Sequence, residues 1–298
     1  MAILLDNKMP VVIQGITGRE GSLRAEYQKS YGTNIVAGVT PGRGGSKVGD
    51  IPVYDTIAEA VRKHGHIEVS NTFVPGPFLR DAVYEALDAG VKLIVAPVER
   101  VPLQDILQMM AASKRANARI LGPGSIGLVN TDLSVAGWLG GNLETAKRMF
   151  VKGPVGVISR SGGQSGTVPF ALGQAGLGVS AVVHVGTEPV VGISMGEVLE
   201  EFEKDDRTKA VAAFGEIGGP HEEEAADVIK AGKFTKPFVI YIAGAWAPPG
   251  MRFSHASSII EGGRGSAQSK MAALKEAGAY VVERPDQIAP TVKRLLEK

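Results

Sequence analysis

The 298-residue chain, 44% hydrophobic and 21% charged, is long enough for two globular domains of ordinary size. Its 32 Lys and Arg nearly balance 31 Asp and Glu, so no overall field draws it to nucleic acid or an anionic membrane, and any anion site is local. The lack of cysteine excludes disulfides, thiolate metal sites and a cysteine nucleophile, and the first residues, MAILLDNKMP, carry no signal-peptide pattern; both point to a soluble, cytoplasmic protein.

Taken in chain order, short runs rich in Val and Ile predict strands over 10–14, 35–39, 67–74, 92–96 and 118–121. They lack clear alternation, as strands buried on both faces should. Amphipathic stretches over 56–63, 79–89 and 103–115 predict the crossover helices between them. A less regular, glycine-containing segment over 130–153 separates this series from a second one. That series predicts strands over 155–159, 180–185, 210–214, 237–242 and 280–283, with helices over 195–204, 222–230 and 267–277. Strand, helix and parallel strand repeated in this way give a doubly wound α/β fold in two domains, 1–130 and 131–298. The stretch 161–187 has no Asp, Glu, Lys or Arg, yet seven glycines and Pro169 break it, so it reads as buried loop, helix and strand.

Ligands of such folds bind at the carboxyl ends of strands, and three glycine loops stand there. The first, Gly15-Ile16-Thr17-Gly18-Arg19-Glu20-Gly21, opens a helix near Arg19. Its amides and the helix dipole suit a phosphate. Its GxxGxxG spacing differs from the dinucleotide fingerprint, and no acidic residue for a ribose follows the second strand. The second loop, Thr40-Pro41-Gly42-Arg43-Gly44-Gly45, adds a cation. The third, Ser159-Arg160-Ser161-Gly162-Gly163, again presents amides at a helix start, but in the other domain. No GxxxxGK[ST] occurs, so the chain has no Walker-type nucleotide site.

Among the five histidines, His64 and His66 read as solvated, His184 as a satisfied core residue and His221 as a surface residue on an acidic helix. His255 follows a strand through a restricted loop with Pro248, Pro249 and Gly250, and precedes a glycine-rich segment, 259–265. It is the candidate nucleophile, with Glu216 of Gly215-Glu216-Ile217-Gly218-Gly219 able to orient its ring.

In order and spacing, QGITGREG, GVTPGRGG, SRSGG, FGEIGG, IAGAWAPPGMRFSHASSII and GGRGSA resemble the succinyl-CoA synthetase α-subunit family, with local resemblance to ATP-citrate lyase. The resemblance covers essentially the whole chain. It implies a Rossmann-like CoA-binding domain, a flavodoxin-like ligase domain, and a separate β subunit with an ATP-grasp domain that binds ATP or GTP with Mg2+. It places the phosphorylated histidine at His255 and its supporting glutamate at Glu216. It puts Ser161, Gly162 and Gly163 at the helix terminus that stabilises the phosphohistidine. CoA-binding positions fall on Thr17, Gly18, Arg19, Glu20, Arg43, Pro97, Val98 and Glu99. No metal site is implied on this chain.

The family segments SRSGTLTYE, GPNCPG and GHAGAII read SRSGGQSGT, GPGSIG and SHASSII here, and the CoA-loop lysine is Arg43. Gly124 and Gly166 therefore remove side chains near the expected carboxylate pocket. SRSGG and its spacing from GWLGGN look more like ATP-citrate lyase. Succinate is the expected acid by family frequency, with citrate and malate as alternatives.

Overall fold

The computed structural model describes residues 2–247, 255 and 265–297. The restricted loop around Pro248, Pro249 and Gly250 and most of the glycine-rich segment after His255 lie outside the described residues.

The first half begins with β1 (Val11–Gln14), which turns into α1 (Arg19–Tyr31) and returns as β2 (Ile35–Val39). A hairpin of β3 (Lys47–Val48) and β4 (Ile51–Tyr54) precedes α2 (Ile57–His64). The series continues through β5 (Val69–Thr72), α3 (Leu79–Asp88), β6 (Leu93–Val95), α4 (Leu103–Arg115) and β7 (Arg119–Leu121). The sheet order is β3-β4-β2-β1-β5-β6-β7, with only β3 antiparallel to its neighbour. β1 is buried throughout, as a central parallel strand should be. Polar side chains on β5 are tolerated because they find partners: Ser70 Oγ donates to Gln14 Oε1 at 2.8 Å, and Thr72 Oγ1 to the Val95 carbonyl at 3.0 Å.

The second half opens with an antiparallel pair, β8 (Gly127–Asn130) and β9 (Ser134–Gly137), followed by α5 (Leu143–Met149). It then alternates β10 (Lys152–Ser159), α6 (Gln164–Gln174), β11 (Val179–His184), α7 (Met195–Lys204) and β12 (Ala210–Glu216). α8 (His221–Lys230), β13 (Phe238–Ala243), α9 (Ala267–Glu276), β14 (Tyr280–Val282) and α10 (Ile288–Leu296) complete it. The order is β14-β13-β12-β10-β11-β8-β9. The sequence puts the change of domain near residue 130, but β8 pairs with β11, so the chain crosses between sheets at residues 122–126. The segment read as irregular is partly a strand, a capped helix and their turns. Asn142 caps α5 through a hydrogen bond from the Thr145 amide at 2.9 Å.

The halves share a continuous apolar cluster. It runs from Ile13, Val69 and Val95 through Leu128 and Ala181 to Phe202 and Ile240. Buried polar contacts join them too. The Asn130 amide bonds Ile3 and Leu5 at 2.8–3.0 Å, Gln28 Nε2 donates to the Gly137 carbonyl at 3.1 Å, and Tyr27 to that of Leu139. Among the described residues no helix is long and apolar enough to cross a membrane.

This topology decides where ligands fit. In the first sheet β1 lies between β2 and β5; in the second, β10 lies between β11 and β12. Each is a switch point, where connections leave in opposite directions and open a crevice at the strand's carboxyl end. The first and third glycine loops follow these two strands.

Candidate active site

At the first switch point, Gly15 has φ +76°, and a Cβ there would lie 2.2 Å from the Phe73 carbonyl oxygen. A Cβ on Gly21 would lie equally close to the Gly15 carbonyl oxygen. These two glycines serve chain packing. Gly18 is the N-cap of α1 and offers no side-chain cap, so the helix start is open to an external anion. Thr17, Gly18 and Arg19 are exposed there. Glu20 instead pairs with Arg24 at 3.1 Å, which ties its carboxylate to the helix surface.

The basic loop is held from beneath by Asp55, whose Oδ1 accepts the amides of Arg43 and Gly44 at 2.9 and 2.8 Å. The Arg43 side chain is left exposed at the loop. Beside these loops lies a cavity of about 550 Å³, with Gly15, Thr17, Gly18, Thr40, Pro41, Phe73 and Phe78 in its lining. Its mixture of amides, aromatic faces and hydroxyls suits a ligand with phosphate and flat apolar parts. Pro97 is buried after β6, Val98 accepts the Gly124 amide at 2.8 Å, and Glu99 is exposed.

At the second switch point, His255 Nδ1 lies 2.7 Å from Glu216 Oε2. The Glu216 hydrogen bond raises the His255 pKa against the opposing effect of burial, and the Glu216 charge adds to the rise. With Nδ1–H donated to the carboxylate, the neutral ring presents the Nε2 lone pair as nucleophile. Arg160 and Glu99 also act on the His255 charge, so the first half's Glu99 lies within electrostatic reach of the histidine. Ser161–Gly163 lead into α6, whose N-cap, Gly163, provides no side-chain acceptor. The amides of Gly162, Gly163 and Gln164 have no acceptor among the described residues, an arrangement suited to oxygens carrying negative charge.

Below Glu216 is an ionic cluster that the sequence analysis does not foresee. Arg160, Glu222 and Lys270 are fully buried. Arg160 donates to the carbonyls of Glu216 and Gly218 at 3.3 and 2.8 Å and lies 3.4 Å from Glu222. Lys270 bonds Gly218 and makes a short contact with Glu222. Glu222 in turn accepts the Glu216 amide at 2.9 Å. Burial alone would raise the Glu222 pKa; the charges of Lys270 and Arg160 outweigh it and hold the pKa at about 2. The cluster fixes the backbone that carries Glu216.

One histidine departs from expectation. His221 is not on the surface but buried at 5% exposure, and burial depresses its pKa to about 4. His184 is in the core, as expected. Its Nδ1 accepts the Ile126 amide at 2.9 Å, and the ring also hydrogen-bonds the Arg160 backbone. His64 and His66 are exposed as expected, the former 2.8 Å from the Tyr54 hydroxyl.

The two substitutions expected to remove groups from the carboxylate pocket do not leave space at the glycine backbone. A Cβ on Gly166 would meet Met149 Sδ at 2.7 Å, and one on Gly124 would meet Thr187 Oγ1 at 2.4 Å. Met149 and Thr187 pack directly against these two glycines.

Known proteins match the chain along its whole length. A family described as a CoA binding domain matches residues 6–99, and one described as CoA-ligase matches residues 158–280. The chain is 44% identical over 299 residues to an ADP-forming succinate–CoA ligase subunit alpha of Aquifex aeolicus, spanning 100% of this chain and 95% of that one. It is 39% identical over 299 residues to an ADP-forming sulfoacetate–CoA ligase subunit of Acholeplasma, covering 99% and 98%. ATP citrate lyase of Methanosaeta concilii superposes with a TM-score of 0.89 at 23% identity. That match spans 99% of this chain and half of the longer one, and shows a common fold. By the full-length identity, the chain belongs to the succinate–CoA ligase α-subunit family.

Proposed function

We propose that the chain is the α subunit of a nucleoside diphosphate-forming acid–CoA ligase and that His255 carries the phosphoryl group. In this reading a β subunit with an ATP-grasp domain binds ATP or GTP with Mg2+. His255 Nε2 attacks the γ-phosphorus, and the bond to the leaving nucleoside diphosphate breaks. A carboxylate oxygen of the acid then takes the phosphoryl group from Nε2, giving an acyl phosphate. The CoA sulfur attacks the acyl carbon, its proton is lost, and inorganic phosphate leaves. Dividing the transfer this way replaces one difficult displacement with easier ones.

The observation that carries the proposal is the 2.7 Å contact of His255 Nδ1 with Glu216 beside the open start of α6. Glu216 sets the tautomer, and Ser161, Gly162 and Gly163 hold the phosphoryl oxygens. Thr17, Gly18, Arg19 and Arg43 bind the CoA phosphates, while Pro97, Val98 and Glu99 border its path toward the histidine. Glu20 contributes its backbone amide, since its carboxylate is paired with Arg24.

Succinate is the acid best supported, through the relative of that activity at 44% identity. Sulfoacetate is the second reading, through the relative at 39%. Both acids carry a second anionic group besides the carboxylate to be activated. Citrate and malate share that property and complete the panel. The test is phosphorylation of the holoenzyme, formed with its β subunit, by γ-labelled ATP. An acid-labile label that disappears in His255→Ala is expected. Undiminished labelling of that variant would rule out the relay.

A further inference from the structure

The loop after β11 reaches across to the first half and meets it with a carboxylate. Glu188, in that loop, is 3% exposed. Its Oε1 accepts the Arg100 amide in a short contact, and the Val101 backbone hydrogen-bonds the same carboxylate. Burial raises the Glu188 pKa against those hydrogen bonds, and the nearby charge of Glu99 adds to the rise. No cation is among the groups that act on it. A buried carboxylate without a cation is a costly group. What distinguishes it from an apolar residue at the same place is its hold on backbone amides of the other half.

Those amides belong to the 97–101 loop that follows β6. Arg100 stands there at φ +59°, in the left-handed region that residues other than glycine seldom adopt. Glu188 accepts the amide of that same residue. Thr187, beside Glu188 and also buried, is lodged against the loop from the same side. Its Oγ1 lies 3.5 Å from Glu99 Oε1 and 3.4 Å from the Gly124 carbonyl. The Gly124 amide in turn donates to the Val98 carbonyl at 2.8 Å. Residues 98–101 are thus tied, directly or through Gly124, to one turn of the second half. Glu99, in the middle of the tied segment, acts on the charge of His255.

We infer that Glu188 is a positioning residue: by holding the Arg100 and Val101 backbone it sets where Glu99 stands on the CoA path toward His255. The inference rests on the ligase reading above and deepens it. In this role Glu188 touches neither CoA nor the phosphoryl group and acts through Glu99. A general brace between the halves would instead support every step of the reaction alike, and experiment separates the two.

In holoenzyme, Glu188→Ala should lower kcat/KM for CoA by about ten- to a hundredfold, the scale of misplacing a group by about an ångström. Labelling of His255 by ATP, which precedes the need for CoA, should stay within about twofold. Glu188→Asp, which returns a carboxylate one methylene shorter, should recover part of the loss. Glu188→Gln keeps the size and one acceptor oxygen and should fall between wild type and Glu188→Ala. It carries the test if the alanine variant does not fold. In a Glu99→Gln background, Glu188→Ala should cost less than about twofold more, because residues acting through one group are not additive. A full further loss in that background would overturn the inference. Labelling that falls in step with CoA turnover would mark a general brace and overturn it as well, as would unchanged kcat/KM for CoA in the alanine and glutamine variants. A wild-type holoenzyme that takes no label would instead refute the ligase reading itself.

Discussion

Replacing Glu222 by Gln tests whether the buried ionic cluster holds the catalytic backbone. The change keeps an oxygen for the Glu216 amide, now 2.9 Å away. It also sets an NH2 group against the Lys270 ammonium and removes the carboxylate that Arg160 and Lys270 share. Glu223 Oε2, 3.7 Å from Lys270, lies beyond hydrogen-bond distance and contacts only one of the two cations, so it does not replace the shared carboxylate. Breaking a buried ion pair by removing one partner costs about 3–5 kcal/mol. For a protein of this size that corresponds to a drop in Tm of roughly 5–8 °C.

The sign with pH follows from the depressed Glu222 pKa. Its stabilisation is present above the ordinary value of 4.5 and is lost as pH falls toward about 2. Its size is on the order of 3 kcal/mol. Thermal melts followed by circular dichroism from pH 7 to pH 3 should therefore show the largest gap between wild type and Glu222→Gln near neutrality, narrowing in acid. Adding Lys270→Met removes one of the orphaned charges and should restore at least part of the loss. A melting difference below about 2 °C at pH 7, or a gap that widens in acid, would refute the account of the cluster.

Glu216→Gln removes the hydrogen-bonding charge that raises the His255 pKa. Because the nucleophile is the unprotonated Nε2, the acidic limb of the phosphorylation rate should move to lower pH, with a plateau lower by at least about tenfold; rapid-quench labelling across pH measures both. Arg43→Ala should weaken CoA binding by about 1.5–3 kcal/mol, the worth of one charge-assisted contact, as read by calorimetry. Its effect on the melting temperature should be small, because Asp55 holds the loop through backbone amides rather than the guanidinium.

The parallel strands were legible in the sequence because burial on both faces leaves uninterrupted Val and Ile runs; β2 and α7 match their predicted limits. The β8–β9 pair was not, because Gly127 pairs with Gly137 at one end and Asn130 and Ser134, at the other, face partners far away in the chain. Asn130 bonds Ile3 and Leu5, and Ser134 donates to Leu5 at 2.8 Å. α10 has no clear helix signal in the sequence either, since Pro290 falls inside its short run.

The candidate site divides the same way. His255 and Glu216 stood out as chemistry at strand ends, and the structure joins them. Arg160, Glu222 and Lys270 are too far apart in sequence to signal a cluster. Glu222 in particular looked like one carboxylate of a solvated acidic helix.

The attachment of Ile3 and Leu5 to Asn130 and Ser134 gives the molecule an unexpected layout. The chain touches the second half first, leaves to build the whole of the first sheet, and then returns. The first half is thus fastened to the second at both its entrance and its exit. Entry and exit act as two anchor points on one frame, so the crevice after β1 and the histidine over β12 keep a fixed spacing. A ligand working between them must span that spacing with its own flexible arm.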